Sequence, residues 1–184
     1  MMRASSEAWS RWRVRAGYPL ALVFLWLANP SQVSLVSGGV VGAIGLVMRA
    51  AAAGHLRKHE ALATGGPYAY TRNPLYFGSA ILAAGLVLAA RTWVAGLLVG
   101  GYFVLFYPAV MRREEAELRV NYGLAFEEYA AGVPLFWPRL TAKKSPGERF
   151  SWALYRRNHE YQAALGFLLG LVVLWLKMKF AAPM

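Results

Sequence analysis

The chain has 184 residues, 58% of them hydrophobic and only 16% charged, with a mean hydropathy of +0.36. Soluble domains carry about a quarter charged residues, so this composition argues against a soluble globular domain and for a lipid-facing surface. Twenty Lys and Arg oppose nine acids, all of them Glu, and Cys is absent. Without Asp or Cys, the chain has no Asp nucleophile, Asp-rich metal site, disulfide, Cys-ligated zinc, iron–sulfur cluster or thiol catalysis. The net charge of +11 would suggest nucleic acid in a soluble protein. In a membrane protein it is better read as basic loops facing anionic lipid, with no nucleic acid partner.

Spanning the roughly 30 Å hydrocarbon layer takes about 20 mainly apolar residues. Five segments approach that length, at Val14–Ala28, Val33–Ala53, Leu75–Ala90, Trp93–Met111 and Tyr161–Leu176. They predict an all-α integral membrane protein with about five transmembrane helices. The first runs into Asn29-Pro30-Ser31 without a small-residue cleavage site, so it reads as a span and not as a cleaved signal. The third and fourth are separated only by Arg91-Thr92 and must form an antiparallel hairpin.

With the N-terminus inside, seventeen of the twenty basic residues fall in the inner connections, and Arg91, Lys177 and Lys179 fall outside. That asymmetry places residues 54–74 and 112–160 on the cytoplasmic face of a bacterial inner membrane or its equivalent. Gly38-x3-Gly42, Gly96-x3-Gly100 and Gly166-x3-Gly170 are small-residue pairs that allow close helix approach.

In the connection after the second span, Gly65-Gly66-Pro67 forces a turn and Asn73-Pro74 opens a helix with Pro at its first position. The free N–H groups of that helix attract an anionic group, and Tyr68, Tyr70 and Tyr76 surround them with flat aromatic faces. An aromatic belt at the interface is the structural alternative. His55 and His59 have the i, i+4 spacing of a metal pair, but a full ligand set is missing, so no metal is expected.

Beyond the fourth span, Glu115, Leu118, Tyr122, Ala125 and Tyr129 recur on one face of an amphipathic helix. Glu117, Glu127 and Glu128 fall on its solvated side. A carboxylate on an apolar face costs a few kcal/mol unless paired. Glu114 or Glu115 should therefore meet a cation, an amine or hydroxyls, with a local salt bridge to Arg112 or Arg119 as the plainer outcome. Val133–Leu140, with two prolines, is expected to turn back over the membrane surface as a lid. Residues 141–160 read as a basic linker on anionic lipid.

Two blocks stand out in order: Leu62-x-Thr64-Gly65-Gly66-Pro67-Tyr68 with Arg72-Asn73-Pro74-Leu75-Tyr76-Phe77-Gly78, then, after the hairpin, Glu114-Glu115-x2-Leu118, Tyr122-Gly123-x3-Glu127-Glu128-Tyr129 and Val133-Pro134-x3-Pro138. This ordered set resembles the isoprenylcysteine carboxyl methyltransferase family and the wider group of integral membrane methyltransferases that includes the phospholipid N-methyltransferases. The resemblance covers roughly residues 55–140. It divides the chain into a membrane methyltransferase core at 1–140 and a basic linker with an extra C-terminal helix at 141–184.

The resemblance implies an S-adenosylmethionine pocket contacted by Tyr68, Asn73, Pro74, Leu75, Tyr76 and Leu118, with Leu62 and Ala63 beside the adenosine. Glu114 or Glu115 would hold the cofactor's amino group or ribose. Arg112 and Glu115 are the catalytic positions it marks, Arg112 as the cation for the acceptor's carboxylate. The family often has His where this chain has Asn73, and Asn cannot act as a base. The implied acceptor is a lipophilic or prenylated molecule in the bilayer, methylated on a carboxylate as in isoprenylcysteine. Methylation of a phospholipid or other amine, with a Glu or Tyr as base, is the alternative, and a non-catalytic membrane protein is a third.

Overall fold

The structure is a computed structural model that describes residues 2–58, 60–144 and 149–180, with side chains from residue 15 onward. The described residues are all-helical. α1 (Met2–Leu27), α2 (Gln32–Ala53), α3 (Pro74–Ala90), α4 (Trp93–Tyr122) and α7 (Tyr161–Phe180) are the long helices; α5 (Leu124–Gly132) and α6 (Trp152–Arg157) are short. A single 3-10 turn, Gly66–Ala69, lies between α2 and α3.

The helices start and stop where their sequence dictates. Ser31 caps α2 in a capping box with Ser34. Pro74 occupies the first turn of α3, where its missing N–H costs nothing. α4 ends at Gly123, whose φ of 50° suits a residue without a side chain.

Three helices, α2, α4 and α7, are long and apolar enough to cross a membrane. The other two expected spans are shorter: α3 has 17 residues, at the lower limit of about 17–25 for a crossing helix, and the apolar part of α1 is confined to Arg15–Leu27. Leu22, Trp26, Val33, Val40, Val47, Trp93, Leu97 and Val104 are all exposed on the helix surfaces, an apolar coat suited to lipid and not to water.

α2 and α3 form the closest pair. A Cβ on Gly85 would lie 2.6 Å from the Gly42 amide nitrogen and 2.7 Å from the Gly38 carbonyl, and one on Gly45 would lie 2.7 Å from the Leu82 nitrogen. The Gly38/Gly42 pair is thus a packing stripe, answered by Gly78 and Gly85 of α3. The ring of Phe167 from α7 also fills the space above Gly42. The other two pairs do not pack in this way. Gly96 and Gly170 each meet one leucine or valine side chain, while Gly100 and Gly166 face open space.

At one end of the bundle, Asn29 N–H donates to Ala90 O and Lys177 Nζ donates to Leu25 O and Trp26 O. The opposite end carries the connection after α2, the continuation of α4, α5 and α6. Of the expected 141–160 linker, the described stretch 149–160 is docked there: Ser151 N–H donates to Gly54 O, and Asn158 Nδ2 donates to Ala53 O and Leu56 O.

Candidate active site

α4 does not stop where its apolar stretch ends. It continues without a break through Arg112-Arg113-Glu114-Glu115 to Tyr122, carrying the acid pair out past α3 on a rigid rod. The turn at Gly123 then resets the helical register. Phe126 and Tyr129 of α5 face inward with Val133, packed by Leu62, Leu118 and Tyr122, whereas Ala125 is exposed. The single face predicted for Glu115, Leu118, Tyr122, Ala125 and Tyr129 therefore fails at Ala125, where the turn re-phases the helix so that Phe126 faces inward, while Tyr129 still packs with Leu118 and Tyr122.

The segment after α5 is a strap and not a free lid. Arg72 N–H donates to Pro134 O at 2.9 Å, Arg139 N–H to Tyr70 O at 3.0 Å and Lys143 N–H to Ala69 O at 3.0 Å. The wholly buried Thr71 hydroxyl donates to Phe136 O at 2.9 Å, and Asn73 Nδ2 donates to Leu135 O at 2.9 Å. Phe136 and Trp137 close edge-on over Phe77. Asn73 thereby anchors the strap while still lining the cavity beside it.

Between the strapped loop, α3, α4 and α5 lies a cavity of about 440 Å³, within the usual ligand-site range of about 300–1,000 Å³. Leu62, Ala63, Tyr68, Asn73, Pro74, Leu75, Tyr76, Glu114, Glu115 and Leu118 all line it, so the structure brings together every position the resemblance implied for a cofactor. Arg112 is exposed and lies outside that lining.

The acids are held by other partners than the local arginines. Glu115 pairs with Arg72 at 2.6 Å, both side chains mostly buried, and Glu114 accepts from the Tyr76 hydroxyl. Arg72 Nη1 also donates to Ala130 O at 2.9 Å. Although Arg72 Nε and Glu115 Oε1 approach closely, they are not aligned for a hydrogen bond, and both atoms are buried. The pair thus keeps polar capacity at the cavity wall. Arg72 stood in the quoted motif block without a role in the site; its position immediately before Asn73-Pro74 was the signal that it enters the site.

Glu117 pairs with Arg113 one helical turn away, and Glu127 with Arg119, both on the surface. Arg119 also lies 5.4 Å from the Phe126 ring centroid. Its hydrogen bond holds the Glu127 carboxyl below the usual value. His55 is structural: Nδ1 lies 2.7 Å from Ala51 O, and the ring packs under Gly66 and edge-on to Phe150. His59 lies outside the described residues.

Tyr129 donates its hydroxyl to Tyr68 O at 2.8 Å. Burial is the main cause that raises both hydroxyls well above the ordinary tyrosine value, with the neighbouring Tyr129 and Glu114 adding to the effect at Tyr68. The sign follows by linkage: above about pH 10 the unfolded chain releases these protons while the folded chain keeps them. Stability should therefore be unaffected by the pair below pH 10 and fall as pH rises beyond it. In an alkaline titration followed by tyrosinate absorbance, Tyr68→Phe and Tyr129→Phe should leave the native ionisation step unchanged and lessen the alkaline loss of stability.

With this geometry in place, the comparison with known families is decisive for one stretch of chain. Residues 43–125 match the phospholipid methyltransferase family. The matched stretch runs from the middle of α2 to the start of α5 and contains all ten of those cavity positions. It bears out the resemblance to the integral membrane methyltransferases over that span. Two curated relatives are bacterial. The nickel-cobalt-cadmium resistance protein NccN of Alcaligenes xylosoxydans xylosoxydans is 36% identical over 89 residues, 48% of this chain and 41% of that protein. The cobalt-zinc-cadmium resistance protein CzcN of Cupriavidus metallidurans is 36% identical over 85 residues, 46% of this chain and 39% of that protein. The alignments thus span about two fifths of those relatives' length. No solved structure matches. α1, α6 and α7 lie outside the methyltransferase-family stretch.

Proposed function

We propose that the chain transfers a methyl group from S-adenosylmethionine to a lipophilic acceptor in the membrane, with carboxyl O-methylation as the first reading. The observation that carries it is the Arg72–Glu115 pair: buried, misaligned and on the wall of a cavity that collects every motif residue.

The residues fit such a cofactor chemically. Its ammonium and hydroxyls suit Glu114 and Glu115, its carboxylate suits Arg72, and its adenine suits a wall of Leu62, Ala63, Leu118 and Phe126. When bound, the cofactor would supply an activated methyl on a sulfonium, whose S–CH3 bond would break as the acceptor carboxylate's O–CH3 bond forms, leaving S-adenosylhomocysteine as the neutral thioether, with no need for a metal or a covalent intermediate. The protein's work is then alignment. α4 holds the acids rigidly, the strap fixes Asn73, and the Tyr76 hydroxyl fixes the direction of Glu114. Tyr68 and Tyr129 stay protonated and act as fixed walls. An amine acceptor is favoured by the family matched at residues 43–125; it must lose a proton before attack, and Glu114, on the cavity wall, is a candidate to accept it.

Calorimetric titration of the purified protein with S-adenosylhomocysteine tests the reading. One molecule should bind per chain, and Tyr76→Ala should weaken that binding about tenfold, since Glu114 loses the hydroxyl that orients it. No heat of binding across several detergents and lipid mixtures would reject it.

A further inference from the structure

A second, smaller hollow of about 180 Å³ lies against α2, lined by Leu46, Val47 and Ala50 of α2, Tyr155 of α6, Glu160 just before α7 and Ala164 in the first turn of α7. It is apolar except for Glu160 and the Tyr155 side chain's hydroxyl, and Val47, at 70% exposure, opens it to the apolar outer surface. Glu160 is itself buried and holds Arg49 by two contacts, Oε1 to Nε at 2.5 Å and Oε2 to Nη2 at 3.1 Å. Arg49 in turn donates to Leu75 O at 3.2 Å and to the Ser79 hydroxyl, and it lines the large cavity. The two hollows therefore share one wall, the Arg49–Glu160 pair, with Glu160 on the groove side and Arg49 on the cavity side. Gly78 makes this possible: a Cβ there would lie 2.6 Å from Arg49 Cγ. A largely buried ion pair between Arg49, inside α2, and Glu160, just before α7, is costly to desolvate and calls for a use.

We propose that the groove between α2 and α7 takes the apolar chain of the methyl acceptor, and that the Arg49–Glu160 pair marks the junction where the acceptor's polar end enters the cavity. This rests on the methyl-transfer reading. An alkyl or prenyl chain suits an apolar groove open to the bilayer, and the wall it shares with the cavity distinguishes an acceptor from a passive lipid. It also assigns a role to α7, which lies outside the matched family stretch.

The test uses a long-chain fatty acid bearing a diazirine in its tail, photolysed on the purified full chain in lipid nanodiscs and mapped by mass spectrometry. Labels are expected on α2 and α7 around Leu46, Val47 and Ala164. Ala164→Trp should fill the groove and lower that labelling about tenfold, leaving S-adenosylhomocysteine affinity unchanged. Glu160→Gln should keep the affinity for S-adenosylhomocysteine but lower methyl transfer to a long-chain acceptor more than to a short-chain one. Labelling spread evenly over all the lipid-facing helices, or untouched by Ala164→Trp, would overturn the proposal. Groove labelling in a protein that fails to bind S-adenosylhomocysteine would instead overturn the methyl-transfer reading, and the acceptor assignment with it.

Discussion

Replacing Glu115 by Ala is expected to weaken S-adenosylhomocysteine binding about a hundredfold, roughly 2.7 kcal/mol, and to lower thermal stability as well. Both effects have one origin. Glu115 and Arg72 are largely withdrawn from water, so removing one strands the other's charge at the cavity wall, a loss of about 3–5 kcal/mol when a buried pair is broken. Arg72→Leu should have a similar effect on stability, because Arg72 also holds Ala130 O and so ties the loop before α3 to α5. The double variant Arg72→Leu/Glu115→Leu should regain most of the stability while staying unable to bind. That split between stability and binding separates a site residue from a purely structural pair. Arg113→Ala and Arg119→Ala, whose ion pairs are exposed, should change neither by much.

Gly85→Val is expected to be the most disruptive change away from the site. The new side chain would press on backbone atoms of Gly42 and Gly38, which cannot rotate away, so α2 and α3 must separate. Association of helices in lipid rests on close packing, not on the hydrophobic effect. A loss of about 1–3 kcal/mol or more follows. It should be read as a lower melting temperature by tryptophan fluorescence in detergent. Gly100→Ala is the control: nothing lies within 4 Å of its added methyl, and Ala favours the helix by about 1 kcal/mol. It should melt no lower than the parent.

Hydropathy alone located the long helices, because a lipid-facing helix must be apolar along its length. The α2 glycine stripe was readable for the same reason, since close packing in lipid leaves few other uses for glycine. Its partner stripe on α3 was not, because Gly78 and Gly85 are seven residues apart and match no short motif. That the fourth span and the amphipathic segment after it form one helix was not readable, because the change from apolar to charged residues at Met111-Arg112 looks like a boundary. Arg112–Tyr122 is nonetheless rich in strong helix formers and has no breaker before Gly123, so the helix simply leaves the membrane and continues.

The cofactor-side positions were legible because their spacing in two separate blocks is unusual. The pairings were not. Glu115 was expected to meet a cation, an amine or hydroxyls; the cation proves to be Arg72, 43 positions away in the chain, and not the local Arg112 or Arg119 of the plainer alternative. Likewise Arg49 was counted among the loop charges, although it lies inside α2 and meets Glu160 across the bundle. In both cases tertiary packing chose the partner. The signal available beforehand was only the oddity of an Arg inside an apolar helix or next to a buried turn.

The most direct measurement is methyl transfer itself. Purified protein reconstituted with membrane lipids and methyl-labelled S-adenosylmethionine should yield label in the lipid extract. That label should be released as methanol by mild base if the acceptor is a carboxylate and retained if it is an amine. Glu115→Ala should abolish the signal. Lipid extracts that stay unlabelled with the native chain, or are labelled equally by the Glu115→Ala variant, would contradict the assignment of this cavity as a methyl-transfer site.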